Sequence, residues 1–120
     1  MRISDAEFEV LKKIWDKVEA SSSEIIKELK DYTWNPNTVR TLIKRLQKKG
    51  AIEISRKEGR SFFYKSIIDE EKYKYDMTVE LLKKFYNNSI IEFILDISNV
   101  EEIVTPQEMK EILDNISAKK

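Results

Sequence analysis

The chain contains no cysteine and no histidine. Without cysteine there is neither a disulfide framework nor a thiolate metal site. With histidine gone as well, the commonest general base and the best nucleophile are both missing. Glycine occurs only at Gly50 and Gly59, which leaves neither a phosphate loop nor a dinucleotide fingerprint. The remaining carboxylates are spaced as helix caps and solvated helix faces, so no enzymatic activity, cofactor or metal is expected. No apolar run approaches the ~20 residues of a membrane span, and no signal-peptide pattern opens the chain. The expected location is cytoplasmic.

What is present is charge. Of 120 residues, 37% are charged and 41% hydrophobic, which suits a folded, helix-rich chain. That length supports one compact core, or a small domain with an appendage. The formal net charge of zero hides a segregation. Residues 35–65 hold nine basic side chains against Glu53 and Glu58, a local charge of +7. Residues 71–120 hold seven basic and ten acidic side chains, a local charge of −3. Screening limits an exposed charge to roughly 10 Å at 0.1 M salt, so a polyanionic partner would sense the local excess.

The excess centres on WNPNTVRTLIKRLQKKG, residues 34–50. Asn35 can cap a helix whose first position is Pro36, and Trp34 with Val39 has the spacing of a hydrophobic staple. Gly50 suits a left-handed helix end, just after Lys48 and Lys49. Val39, Leu42, Ile43 and Leu46 form one stripe at i, i+3, i+4 and i+7. The opposite side centres on Asn37, Thr41, Lys44 and Lys48, with Thr38 and Arg45 on one flank and Arg40 on the other. No acidic residue stands between Asp31 and Glu53. Solvated helix faces usually mix charge signs, whereas amides, hydroxyls and Arg/Lys read base edges and phosphates.

Before this helix, Ser4-Asp5-Ala6-Glu7 is a capping box, with Ile3 and Phe8 as a staple. A first helix comes next, predicted to bury Phe8, Leu11, Ile14, Trp15 and Val18. Ser21-Ser22-Ser23-Glu24 repeats the box and opens a short second helix with Ile25, Ile26 and Leu29 inward; Asp31-Tyr32-Thr33 breaks it. Three short helices, the third basic outside, suggest a helix-turn-helix.

After Gly50 the apolar period changes from helix to strand. Ile52 and Ile54 alternate with polar residues, a Lys57-Glu58-Gly59 turn intervenes, and Phe62 and Tyr64 then alternate with Ser61, Phe63 and Lys65. This predicts a two-stranded wing, with Ile54 and Tyr64 in the core and with Arg56, Lys57 and Arg60 at a tip where a backbone phosphate could sit. The fold class is therefore mainly α (α+β): a winged helix-turn-helix over residues 1–68, then a helical region over 69–120.

In that second region Asp69 can cap a fourth helix carrying Tyr73, Met77, Leu81, Leu82 and Phe85 and ending near Asn87-Asn88. A further apolar segment carries Ile90, Ile91, Phe93, Ile94, Leu95 and Ile97. Thr105-Pro106-Gln107-Glu108 opens a last helix with Met109, Ile112, Leu113 and Ile116 on one stripe. So many apolar residues outside a completed domain imply a partner surface, and a symmetric homodimer is the commonest solution. The expected dimerisation residues are Leu81, Leu82, Phe85, Ile91, Ile94, Leu95, Met109, Ile112, Leu113 and Ile116.

ISDAEFEVLKKIW, IIKEL, WNPNTVRTLIKRLQKKG, KEGRSFFY and KKFYNN together resemble the penicillinase-repressor family over nearly the whole length, TVRTLIKRLQKKG being the most specific part. The resemblance implies a homodimer that represses transcription from double-stranded operators with inverted half-sites. It implies base contacts from Thr38, Arg40 and Thr41, with Lys44 and the wing nearer the DNA backbone. The chain departs from the family in two places. Asn37 stands where members usually carry lysine. Antibiotic-responsive members are cut at an Asn-Phe bond when a membrane sensor-protease system detects drug, and the matching positions here are Asp96 and Ile97. Copper-responsive members end in a cysteine-rich metal tail, which this chain lacks, so the inducing signal is open. The rival reading is a winged helix that docks an acidic protein through its basic face rather than DNA.

Overall fold

The structure, a computed structural model, describes residues 2–30, 34–99 and 103–118. Its elements run α1 (Asp5–Lys17), β1 (Glu19–Ser21), α2 (Ser22–Glu28), α3 (Pro36–Lys48), β2 (Ile52–Glu58), β3 (Ser61–Ser66), α4 (Glu70–Phe85), α5 (Ile90–Ser98) and α6 (Pro106–Ala118). They divide into two compact units, Met1–Tyr73 and Lys74–Lys120.

Local sequence chemistry starts the helices of the first unit. Ser4 and Ser21 each accept the backbone N–H of the glutamate three residues on, and each glutamate returns the bond to the cap's own N–H. Asn35 accepts the Thr38 N–H at 2.9 Å with Pro36 behind it. Lys49 caps the end of α3 and Gly50 takes φ +79°. The expected helix breaker, residues 31–33, lies outside the described residues.

The core of this unit joins Leu11 and Ile14 of α1, Ile25 and Leu29 at α2, and all four stripe residues of α3, with Ile52 closing it from the hairpin. Phe8, Trp15 and Tyr73 form an aromatic cluster at its edge, every centroid pair 5.8–5.9 Å apart. The Trp15 indole N–H reaches the Ser66 hydroxyl and the Ile68 carbonyl, tying α1 to the end of β3.

Two expected core residues lie outside it. Val18 is 79% exposed, because α1 stops at Lys17 and Val18 itself adopts φ +69°, which swings its side chain off the helical stripe. Ile54 is 43% exposed: the helices cover only the hairpin's base, so Ile52 is buried and Ile54, one pleat further out, is not. Tyr64 is half-buried against the core, as expected.

The hairpin also differs in detail. Pairing continues to Glu58 opposite Ser61, so Lys57 and Glu58 belong to β2 and only Gly59 and Arg60 turn the chain. The sheet has a third strand, since β1 pairs antiparallel with β3 and gives the order β1-β3-β2. The register slips at Ser55, where β2 carries a bulge.

In the second unit Ser89 caps α5, and Thr105 with Glu108 forms the capping box of α6. Asn87 and Asn88 take φ +50° and +64° at the corner after α4, a conformation asparagine tolerates better than most residues. Tyr86 packs edge-on against Phe93 at 5.3 Å and its hydroxyl donates to Asp96. Among the described residues of this unit only Val104 is buried. Phe85, Ile91 and Leu95 are each more than 60% exposed, and Leu81, Ile112, Leu113 and Ile116 are exposed as well, while Leu82, Ile94 and Met109 are half-buried.

Candidate nucleic-acid interface

All seven polar residues expected on the outer side of α3 are exposed: Asn37, Thr38, Arg40, Thr41, Lys44, Arg45 and Lys48. Their neighbours at i, i+3 and i+4 on the other side are buried, so the helix cannot roll to hide the basic face without exposing its stripe. The first turn is internally ordered. The Asn37 side-chain oxygen accepts from Arg40 Nη1 at 3.1 Å, and its backbone carbonyl accepts the Thr41 hydroxyl at 2.9 Å. Asn37 therefore holds the Arg40 guanidinium in place while leaving most of its donors free.

Lys44, Arg45 and Lys48 form no ion pair with any described residue, and neither do Lys57 and Arg60 on the hairpin. Lys57 lies over the Phe62 ring at 5.3 Å, and Phe62 is itself exposed. Arg56 behaves differently from the rest of the predicted tip cluster. It stacks on Phe63 at 3.8 Å, and its guanidinium is taken by Glu19 and Glu58. These carboxylates raise its pKa further above the ordinary arginine value and leave it little to offer a phosphate.

The base of the hairpin is anchored to the end of α3. Ala51 is buried, its N–H donates to the Leu46 carbonyl at 2.9 Å, and its carbonyl accepts from Ile67 at 2.8 Å. At the same end Lys49 reaches back to α1, donating to Glu7 Oε1 at 2.5 Å and to the Arg2 carbonyl at 2.7 Å. The pairing roles of Glu7 and Glu19, and the engagement of Arg56 by Glu19, were not legible in the sequence. A capping-box glutamate looks solvent-facing, and an isolated acid between two helices carries no motif.

Asp96 and Ile97 lie near the end of α5, with the Asp96 carboxylate accepting the Tyr86 hydroxyl at 2.8 Å. A protease takes its substrate extended, so cutting there requires the last turn of α5 to open. Among the described residues no three His, Cys, Asp or Glu side chains gather to hold a metal, and no helix is long and apolar enough to cross a membrane.

Three helices packed on a short sheet, the third with an unpaired basic face and followed by a basic hairpin, define a winged helix-turn-helix protein. A family model described as the penicillinase repressor matches residues 3–118, and the chain belongs to that family. It is 44% identical over 96 residues to the penicillinase repressor of Bacillus licheniformis, covering 79% of this chain and 74% of that one. It is 38% identical over 119 residues to the methicillin resistance regulatory protein MecI of Staphylococcus aureus strain N315, covering 98% and 94%. The fold is similar to the solution structure of the DNA-binding domain of the repressor BlaI, with 51% identity, a TM-score of 0.54, and 60% and 88% of the two chains covered. It is also similar to monomeric Bacillus licheniformis BlaI in complex with the blaP half-operator, with 49% identity, a TM-score of 0.53, and 61% and 89% covered.

Proposed function

We propose that this chain is a transcriptional repressor that binds operator DNA as a homodimer, α3 entering the major groove and the hairpin lying along the backbone. The observation that carries this reading is the outer face of α3, where exposed amide, hydroxyl and unpaired cationic groups stand without an acidic neighbour. A relative 49% identical has been solved in complex with a half-operator, which supports DNA as the partner. Thr38, Arg40 and Thr41 read bases, and Asn37 sets the pose of Arg40. Lys44, Arg45, Lys48, Lys57 and Arg60 neutralise phosphates.

The exposed apolar side chains of α4, α5 and α6 pair two copies, and two-fold symmetry then matches inverted half-sites. The names of the relatives point to antibiotic-resistance genes as the class of target. With Lys44, Arg45, Lys48, Lys57 and Arg60 each neutralising one phosphate per protomer, log K of the dimer falls against log salt with a slope on the order of −9. Titration of a duplex across a salt series, with an acidic protein as competitor, tests the reading. A salt-insensitive complex, or preference for the acidic competitor, would transfer the basic face to protein docking.

A further inference from the structure

The bulge in β2 is held from outside the hairpin. Ile54 stands opposite Tyr64 and Arg56 opposite Phe63, which makes Ser55 the extra residue. A bulge bends its strand, raises the local twist and re-aims the residues beyond it. Beyond this one lies the wing tip with Lys57 and Arg60.

Glu19 lies on β1, separated from β2 by the middle strand. Its Oε2 accepts the Ser55 hydroxyl at 2.7 Å and its Oε1 accepts the Arg56 Nε–H at 2.6 Å. One carboxylate thus clasps two consecutive residues at the bulge, while Phe63 and Glu58 hold the rest of Arg56. The Arg56 hydrogen bond, then that of Ser55, keep the Glu19 carboxyl below its ordinary range, so the clasp is charged at neutral pH.

Building on the DNA-binding reading above, we propose that Glu19 is a positioning residue for the wing: without touching DNA, it sets the direction in which Lys57 and Arg60 meet the phosphates.

The test uses the full chain with Glu19→Ala. Hydrogen exchange at the amides of residues 57–60 should accelerate several-fold while that of α3 stays unchanged. Affinity should fall roughly tenfold on cognate and random duplexes alike, with a salt slope flatter by about one to two units. The half-exposed carboxylate contributes little to global stability, so the melting temperature should hold. In a Lys57→Ala/Arg60→Ala background, adding Glu19→Ala should change nothing further, whereas a merely structural loss would add. Ser55→Ala, which removes one arm of the clasp, should show the same pattern at smaller amplitude and serves if Glu19→Ala melts.

Unchanged exchange in the wing overturns the clasp by itself. So do additive losses, or tighter binding with a steeper slope, which would mean that Glu19 only neutralises Arg56. A parent protein that binds no duplex overturns the DNA-binding reading and the positioning role with it, while leaving the exchange result to be judged separately.

Discussion

Replacing Lys49 by methionine should destabilise the first unit strongly at neutral pH and much less in acid. Glu7 is the one acidic residue buried among the described residues. Its side chain is 2% exposed, while that of Lys49 is 36% exposed. Glu7 Oε1 accepts from Lys49 at 2.5 Å and from the Ser4 N–H at 2.8 Å, and Oε2 has no partner. Burial pushes the Glu7 pKa up, but the Lys49 hydrogen bond, the Ser4 donors and the Lys49 charge outweigh it and leave the value below 4.5.

The two partners are therefore unequal. In Glu7→Gln the amide oxygen keeps the Ser4 cap and Lys49 turns to water, at a cost of about 1–2 kcal/mol. In Lys49→Met a carboxylate stays buried with only Ser4 to hold it, at a cost of about 3 kcal/mol. For a unit of this size, that lowers Tm by roughly 12–24 °C.

The pH dependence separates the cases. In the parent the folded pKa lies below the unfolded one, so the Glu7 contribution is present above about pH 4.5 and lost as pH falls through the folded value. In Lys49→Met burial dominates and the order reverses. The penalty is then full above the raised folded value and vanishes as pH falls to the unfolded one. Urea unfolding at pH 7 and pH 4 reads both, followed by the fluorescence of Trp15 and Trp34, which both belong to the first unit. A Lys49→Met loss that is the same at both pH values, or smaller than that of Glu7→Gln, would refute this account of the pair.

Arg40→Ala should cost ~1–3 kcal/mol on the cognate duplex and little on random DNA, measured by parallel titration; equal losses would make Arg40 a phosphate clamp. Arg60→Ala should weaken both duplexes alike and flatten the salt slope by about two units, one per protomer, and a loss confined to the cognate site would contradict a backbone role. Leu95→Asp should sediment as a monomer with the tryptophan-reported melting unchanged; a persistent dimer would place the interface elsewhere. Gly50→Ala should cost about 1 kcal/mol in urea unfolding, because φ is +79° while nothing lies within 4 Å of the added Cβ; a neutral result would mean the backbone had relaxed.

What was legible in the sequence was short-range. Ser4, Ser21, Asn35 and Thr105 announce helices through bonds to residues three positions away, and Val39, Leu42, Ile43 and Leu46 mark a buried stripe within two turns. What was not legible depended on partners far along the chain. Strand β1 is three residues long and exists only because Lys65, Tyr64 and Phe63 lie opposite it. The Ser55 bulge breaks a period that reads as regular alternation. The tethering of Arg56 needs Glu19, separated from it by 37 positions. Val18 follows the helical spacing of α1 and leaves the core for a backbone reason no periodicity records.

The distant pairings also settle a question that net charge leaves blurred. Between residues 35 and 65, three of the nine basic side chains are tied to acids: Lys49 to Glu7, Arg56 to Glu19 and Glu58, and Lys65 to Glu53. The six that remain are Arg40, Lys44, Arg45, Lys48, Lys57 and Arg60, all exposed and all on α3 or the wing. The three tied cations sit at the end of α3, at the bulge and at the root of the hairpin, where they join one element to another. Cation and acid are thus divided by task. Pairs hold α3 and the wing in place, and unpaired cations are left for a polyanion. Had Glu19 or Glu53 lain beside Lys44 or Arg45 instead, each would have set an intramolecular bond against a phosphate contact and lowered the affinity for every duplex. A formal charge of zero is therefore compatible with a strongly cationic binding face, because the acids that balance it lie away from that face, some paired to other elements and many on the second unit.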